Sequence, residues 1–298
     1  MNGRRPFRKV AVLMGGPSAE REISLRSGRA VAGGLRAAGY DAVEVEVRER
    51  RLELPAGTEA AFIALHGEFG EDGEVQELLR QRGIPYTGSD PEASRAAFDK
   101  PRSKRLLERR GVPTPAWELL HVGAPRRLPL PVVVKPPRQG SSLGVSRVLR
   151  EQDWAPAVAA AAAYGPELLV EAYIAGRELT VGIVDREALP VIEIEAPDGN
   201  YDYAAKYTAG QTRYRVPAPL APELAERCRQ IGLQTFDALG CRGLGRVDLR
   251  LSPAGEPFVL ELNNIPGFTE TSLLPKAAAA AGLGFAALCD RILRTAAL

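Results

Sequence analysis

Histidine, cysteine and lysine are all scarce in this chain of 298 residues, and each scarcity removes a class of function. Two histidines, His66 and His121, and three isolated cysteines, Cys228, Cys241 and Cys289, provide no cluster with the ligand spacing of a zinc site. An odd number of scattered cysteines also argues against a disulfide framework and fits buried thiols in a reducing cytoplasm. No apolar run reaches the roughly 20 residues of a membrane-spanning helix. The opening MNGRRPFRKVAVLM passes from basic residues straight into a strand pattern, so neither a signal peptide nor a transmembrane segment is expected. With a net charge of only +2 and both signs interspersed, there is no electrostatic footprint for nucleic acid. Six lysines stand against thirty-three arginines. Where lysine survives in so arginine-rich a chain, a compact point charge can be needed in place of a planar fork, and Lys100, Lys135 and Lys206 fall at such places.

What is present is an ordinary globular composition, 45% hydrophobic and 26% charged, long enough for two or three modest domains. The most informative stretch is GRVDLRLSPAGEPFVLELNNIPG, residues 245–267. Apolar and polar residues alternate on both sides of Pro253 to Glu256, which predicts two antiparallel strands and a short turn. Side chains repeat with period two, so Arg246, Asp248 and Arg250 share one face, and Glu261 and Asn263 share the facing one. A loop centred on Ala254 and Gly255 sets Asp248 opposite Glu261 and Arg246 opposite Asn263. The same register pairs Val247 with Leu262, Leu249 with Leu260 and Leu251 with Phe258. Two facing carboxylates repel unless something positive lies between them, and an oxygen-only set of Asp, Glu and Asn suits a hard cation such as Mg2+. A solvated hairpin face with an Arg-Asp-Glu salt bridge is the alternative.

Lys9 to Met14 reads as a buried strand, and the glycine-rich turn from Gly15 leads into a helix running to about Ala38. Such a turn offers backbone N–H groups to an anion, although it is neither GxGxxG nor a Walker sequence. Glu20 and Glu22 also have a simple reading as acids at a helix start. Strands at 42–47 and 60–65 follow, the second ending at His66 before GEFGEDG, which predicts an open, mostly parallel α/β sheet with ligands at its carboxyl edge. His66, flanked by glycine, is expected to face a cleft, whereas His121 is read as structural. From Pro91 a helix carries Asp99, Lys100, Ser103 and Lys104, with Pro101 a possible break. Pro131 to Lys135 is a short buried strand that runs into RQGSSLGV, a loop able to fold its backbone and its serine hydroxyls over phosphates, with Lys135 at its root. Glu151 to Ala163 reads as a helix and Glu167 to Tyr173 as a strand between domains. The free edge of that strand suits adenine, with Glu171 or Glu178 for ribose hydroxyls. Residues 197–217 form a tyrosine-rich excursion of the kind that serves as a lid. A backing helix at 221–239, the hairpin and two final helices complete the chain.

In that order, GGPSAEREISLRSG, IALHGEFGEDG, PYTGSD, DKPRSK, VVVKPPRQGSSLGV, YDYAAKY, GRVDLRL and LELNNIPGFTETSLLP resemble the D-alanine-D-alanine ligase family of the ATP-grasp superfamily, essentially end to end. The resemblance implies an α/β and α+β fold of three domains around one cleft. These are an N-terminal parallel, Rossmann-like α/β domain at 1–95, a central ATP-grasp subdomain at 96–176 and a C-terminal one at 177–298. It implies ATP as the phosphoryl donor, two Mg2+ ions with Mn2+ as a substitute, D-alanine as substrate, a homodimer and a cytoplasmic location.

The roles it implies are as follows. Lys100 and Lys135 clamp phosphates, Glu171 and Glu178 serve the adenine and ribose side, and Asp248, Glu261 and Asn263 hold the metal. Arg246 and the N–H of Gly267 stabilise the oxyanion. Glu20 takes the ammonium group of the first D-alanine with His66 beside it, and Lys206, Ser272 and Leu273 hold the second D-alanine. Glu20, Ser141 and Tyr207 form a lock joining the domains. Asn264 stands where the family pattern has Thr, and Ala172 where a longer residue is common. The alternatives are another ATP-grasp carboxylate-amine ligase, a relative making D-alanyl-D-lactate, against which Tyr207 argues, and a nucleotide-binding scaffold that has lost its chemistry.

Overall fold

The computed structural model describes residues 5–196 and 212–298, which form three sheets. Strands β1 (Lys9–Gly15), β2 (Asp41–Val47) and β3 (Ala60–Ile63) make a parallel sheet in the order β2-β1-β3. Central β1 is buried along nearly its whole length, as a parallel strand covered on both faces should be. Helix α1 (Arg21–Ala37) is the crossover from β1 to β2, and α2 (Glu74–Gln81) follows β3.

The helix expected from Pro91 is two helices, α3 (Pro91–Phe98) and α4 (Lys100–Arg109). Asp99 leaves the helical region at φ −84°, ψ 97°, and its side chain accepts the Arg102 N–H at 2.9 Å. Pro101 therefore sits in the first turn of a new helix, where its missing N–H costs nothing.

Strands β4 (Trp117–His121), β5 (Val132–Lys135), β6 (Ser146–Val148) and β7 (Glu167–Ala172) form an antiparallel sheet ordered β4-β7-β5-β6. Helix α5 (Trp154–Ala162) covers it through Ala157 and Ala161. His121 ends β4 at the surface.

The third sheet runs β11-β10-β8-β12-β13, with β9 paired to β8. Its strands are β8 (Arg177–Val184), β9 (Glu187–Ala188), β10 (Ile192–Glu195), β11 (Arg213–Arg215), β12 (Leu244–Leu251) and β13 (Pro257–Asn263). Helix α6 (Pro222–Ala238) packs on it, with Val247, Leu249, Val259 and Leu262 on the greasy face. The last helices, α7 (Leu273–Ala280) and α8 (Phe285–Leu293), join the first sheet instead. Leu274, Ala277, Leu288 and Ile292 share one core with Val10, Val12, Val31 and Leu35. No single helix among the described residues is long and apolar enough to cross a membrane.

Candidate active site

The hairpin forms as expected around its polar pairs: Arg246 faces Asn263, Val247 faces Leu262 and Asp248 faces Glu261. Nearer the turn the expected register fails. Leu249 pairs with Val259 and Leu251 with Pro257, because a β-bulge after Asp248 leaves Leu260 as an extra residue. The bulge turns Leu260 from the greasy side into a small cavity shared with Asp248, Arg250 and Glu261.

That cavity, about 130 Å³, lies between the second and third sheets and is lined by Lys100, Lys135, Glu171, Glu178, Asp248, Arg250 and Glu261, with apolar walls from Val133, Ala172, Ile174 and Leu260. Glu171 is 2% exposed and held between Lys104 at 2.7 Å and Lys135 at 2.8 Å. Burial works to raise its pKa, yet the two ammonium groups keep the carboxyl below its ordinary range. Lys104, also buried, is pulled below its usual value by desolvation, and its Nζ additionally reaches Thr114 Oγ1 at 2.6 Å. Glu178 accepts from Arg250 at 3.1 Å. Lys100 Nζ donates to Gln139 O at 2.7 Å and lies 3.1 Å from Glu261.

A larger cleft of about 520 Å³ opens beyond Lys100 and Glu261, bounded by Glu20, His66, Glu71, Ser141, Arg246, Asn263, Gly267, Ser272, Leu273 and Lys276. Glu20 stands at the N-cap position of α1 without a side-chain capping bond, and its carboxylate accepts the Ser141 hydroxyl in a short hydrogen bond, so the loop after β5 touches the start of α1. A methyl group at Gly67 or Gly140 would lie 2.9 or 2.8 Å from Glu20 Oε2, so backbone passes close to the carboxylate on both sides. Ser141 and Ser142 adopt φ of 51° and 58°, a left-handed pair of non-glycine residues that stores strain in this loop.

His66 is buried and engaged at both nitrogens: Nδ1 lies 3.0 Å from Ile265 O, and Nε2 3.0 Å from Ser27 Oγ, which itself accepts the Phe268 N–H at 3.1 Å. The carbonyl can only accept, so Nδ1 carries the proton and Ser27 donates to Nε2. Burial holds the imidazole below its usual pKa and therefore neutral. His66 thus ties the bend at 265–268 to the end of the first sheet. Within that bend the Gly267 N–H has no acceptor among the described residues. Burial first, and the Glu20 charge second, push Glu71 well above the ordinary carboxylate range, and its Oε1 accepts Gly67 N–H at 2.9 Å.

Arg246 forks onto both oxygens of Asp248 at 2.9 and 2.7 Å, and Thr180 Oγ1 donates to Asp248 Oδ1 at 2.7 Å. Among the described residues no three His, Cys, Asp or Glu side chains converge as a metal cluster. The donors at hand are two cross-strand carboxylates and the Asn263 amide oxygen, which accepts the Ile265 N–H at 3.0 Å. An all-oxygen set with two negative charges fits Mg2+, and the cations now beside it, Arg246 and Lys100, mark how much positive charge the acids require.

The expected residues Glu20, His66, Lys100, Ser141, Arg246, Glu261, Asn263, Gly267, Ser272 and Leu273 line the larger cleft, and Lys135, Glu171, Glu178 and Asp248 the smaller cavity. Lys206 and Tyr207 lie outside the described residues. Sequence reasoning missed Lys104, Glu71, Arg250, Leu260 and Lys276 as site residues. For the two lysines a signal existed, since the scarcity of Lys that drew notice to Lys100 and Lys135 applies equally to them.

Family models for the C-terminal and N-terminal parts of D-ala D-ala ligases match residues 109–294 and 41–89. The chain belongs to the D-alanine-D-alanine ligase family. Among curated members, the D-alanine–D-alanine ligase of Methylacidiphilum infernorum is 48% identical over 288 residues, 96% of this chain and 94% of that one. The ligase of Desulforudis audaxviator is 48% identical over 302 residues, covering 97% and 98%. Among solved structures, the Bacillus anthracis D-alanine–D-alanine ligase complexed with ATP superposes with a TM-score of 0.85 at 33% identity, covering 97% of each chain. The VanG D-Ala:D-Ser ligase of Enterococcus faecalis does so with a TM-score of 0.85 at 27% identity, covering 97% of this chain and 99% of that one. The ATP-grasp fold expected of the D-alanine-D-alanine ligase family is the fold found here.

Proposed function

We propose that this chain joins two D-alanines into D-alanyl-D-alanine at the expense of ATP, supplying a peptidoglycan precursor. The supporting observation is that the acid-and-amide face of the hairpin, the serine flap and Glu20 converge on two connected cavities, one suited to a nucleotide and one to amino acids. In the first step the carboxylate of one D-alanine attacks the γ-phosphorus of ATP, ADP leaves and an acyl phosphate forms. In the second the amine of the other D-alanine attacks the acyl carbon, and phosphate and a proton are released.

The chain's own groups have matching tasks in this reading. Glu20 holds the ammonium group of the first D-alanine, with neutral His66 fixing the bend beside it. Arg246 and the unengaged Gly267 N–H take the oxyanion. Lys100 and Lys135 hold phosphates, Glu171 anchors Lys135 and Lys104, and Glu178 serves the ribose. Ser272 and Leu273, with Lys206, receive the second D-alanine, while Glu20, Ser141 and Tyr207 close the site against water. Asp248, Glu261 and Asn263 would hold two Mg2+ ions, or Mn2+. When bound there, Mg2+ neutralises charge on the ATP phosphates during transfer. We also divide the chain into domains at 1–95, 96–176 and 177–298, and assign it a homodimeric state and a cytoplasmic location. Light scattering of the purified protein tests the dimer.

The decisive experiment is phosphate release from ATP and Mg2+ with D-alanine, with L-alanine, and with D-alanine plus D-lactate or D-serine. Turnover with D-alanine alone and none with L-alanine is expected. Silence with D-alanine overturns the reading, and a preference for D-lactate or D-serine at neutral pH moves it to a relative with a different acceptor.

A further inference from the structure

Arg250 follows Asp248 by two residues on β12 and shares its face, but no part of the reaction described above uses it. It is 7% exposed, and all three of its guanidinium nitrogens have directed contacts. Nε donates to Ile174 O at 3.1 Å, Nη1 to Glu178 Oε2 at 3.1 Å, and Nη2 lies 3.5 Å from the Tyr173 hydroxyl. The guanidinium carbon stands 5.7 Å from the Tyr173 ring centroid. Arg250 and Glu178 face each other across the β8–β12 ladder, so the backbone fixes where this fork begins. A buried guanidinium is a costly way to fill a strand position that an aliphatic residue would fill at no electrostatic expense. What it gains here is a rigid bridge between the segment after β7 and the carboxylate at the start of β8.

The bridged groups face the smaller cavity. Val133, Ala172 and Leu260 give that cavity apolar lining suited to a base. The Ile174 N–H has no acceptor among the described residues, whereas its carbonyl is taken by Arg250. Residue 174 therefore presents a donor with no acceptor among the described residues, which complements a ring nitrogen that lacks a proton, as adenine has at N1. We propose that Arg250 is a positioning residue for the nucleotide: it fixes the 173–174 backbone and the Glu178 carboxylate together, and so sets how the base and the ribose are held. Lysine cannot replace it, because one ammonium on a flexible stem does not span two acceptors and stack on a ring at once.

This inference rests on the reading of the smaller cavity as the ATP pocket, so the test begins with the full-length wild type under Mg2+, ATP and D-alanine. No turnover there overturns that reading. With turnover established, Arg250→Met is expected to raise the KM for ATP about tenfold, the scale of losing hydrogen bonds to a charged group. The KM for D-alanine is expected to stay within about twofold, because the bridge touches only the nucleotide side. The wild-type preference for ATP over 2′-deoxy-ATP, in kcat/KM, is expected to shrink by about threefold or more as Glu178 loses its fixed position. Arg250→Lys should recover only part of that preference, and it carries the test if the methionine variant does not fold. An unchanged ATP KM, an unchanged preference between the two nucleotides, or equal rises in both substrates' KM with a lowered Tm would each overturn the proposal.

Discussion

In the smaller cavity the acids have cations of the chain's own: Glu171 lies between Lys104 and Lys135, Glu178 on Arg250 and Asp248 on Arg246. Across Lys100 and Glu261, in the larger cleft, charge is left unmatched. No Lys or Arg pairs with Glu71 among the described residues, and the ring of neutral His66 is 3.8 Å from its carboxylate. Lys276 lies 4.3 Å over the Tyr214 ring with no carboxylate partner among the described residues, and burial lowers its pKa. A nucleotide arrives as a polyanion accompanied by its own cations, so its pocket can be preassembled as a closed ionic lattice. An amino acid arrives as a zwitterion, and its cleft keeps a buried carboxyl, Glu71, and an ammonium group, Lys276, without ion-pair partners among the described residues.

The sharpest way to break the balanced side is Glu171→Gln, which leaves two buried ammonium groups facing each other without a counter-charge. A loss of about 3–5 kcal/mol in unfolding free energy is expected by denaturant titration, the scale for removing one partner of a buried ion pair. On the unmatched side, Lys276→Met should raise the KM for D-alanine about tenfold while leaving the KM for ATP nearly unchanged, as read by steady-state kinetics in each substrate. Stability should fall little, because the lysine has no ion pair among the described residues to lose.

The mildest test is Glu71→Gln. A carboxyl whose pKa is raised by folding contributes stability below its unfolded value near 4.5, and that contribution is lost as pH rises through the folded value. The glutamine variant should therefore melt at a higher temperature than wild type at neutral pH, with the gap closing towards pH 4.5. A gap of constant size across that range would mean the burial of Glu71 carries no ionisation cost.

The hairpin's pairs at 246, 247 and 248 were readable from alternation alone, because a period-two pattern has only two faces to choose between. The bulge at Leu260 was not, since Val259 and Leu260 are both apolar and either can face the core. The helix break at Asp99 was signalled by Pro101, a residue that tolerates only a first turn. Glu71 stood inside a quoted motif, but its burial depends on α1 and the 264–268 bend, which lie far away in the chain. Arg250 appeared on the correct strand face. Its partners, Ile174 and Glu178, could be assigned only once β8 was known to lie beside β12.

The shared core of α1 and α8 has a consequence for how the molecule is made. β1, β2, β3 and α1 are synthesised well before Leu274, Ala277, Leu288 and Ile292, which cover one side of their apolar surface. At translation rates of about 5–20 residues per second, that surface stays bare for on the order of 10–40 s. The nascent chain is thus at its most adhesive between the emergence of β3 and that of α8, and its first layer becomes a finished unit only once α8 has left the ribosome.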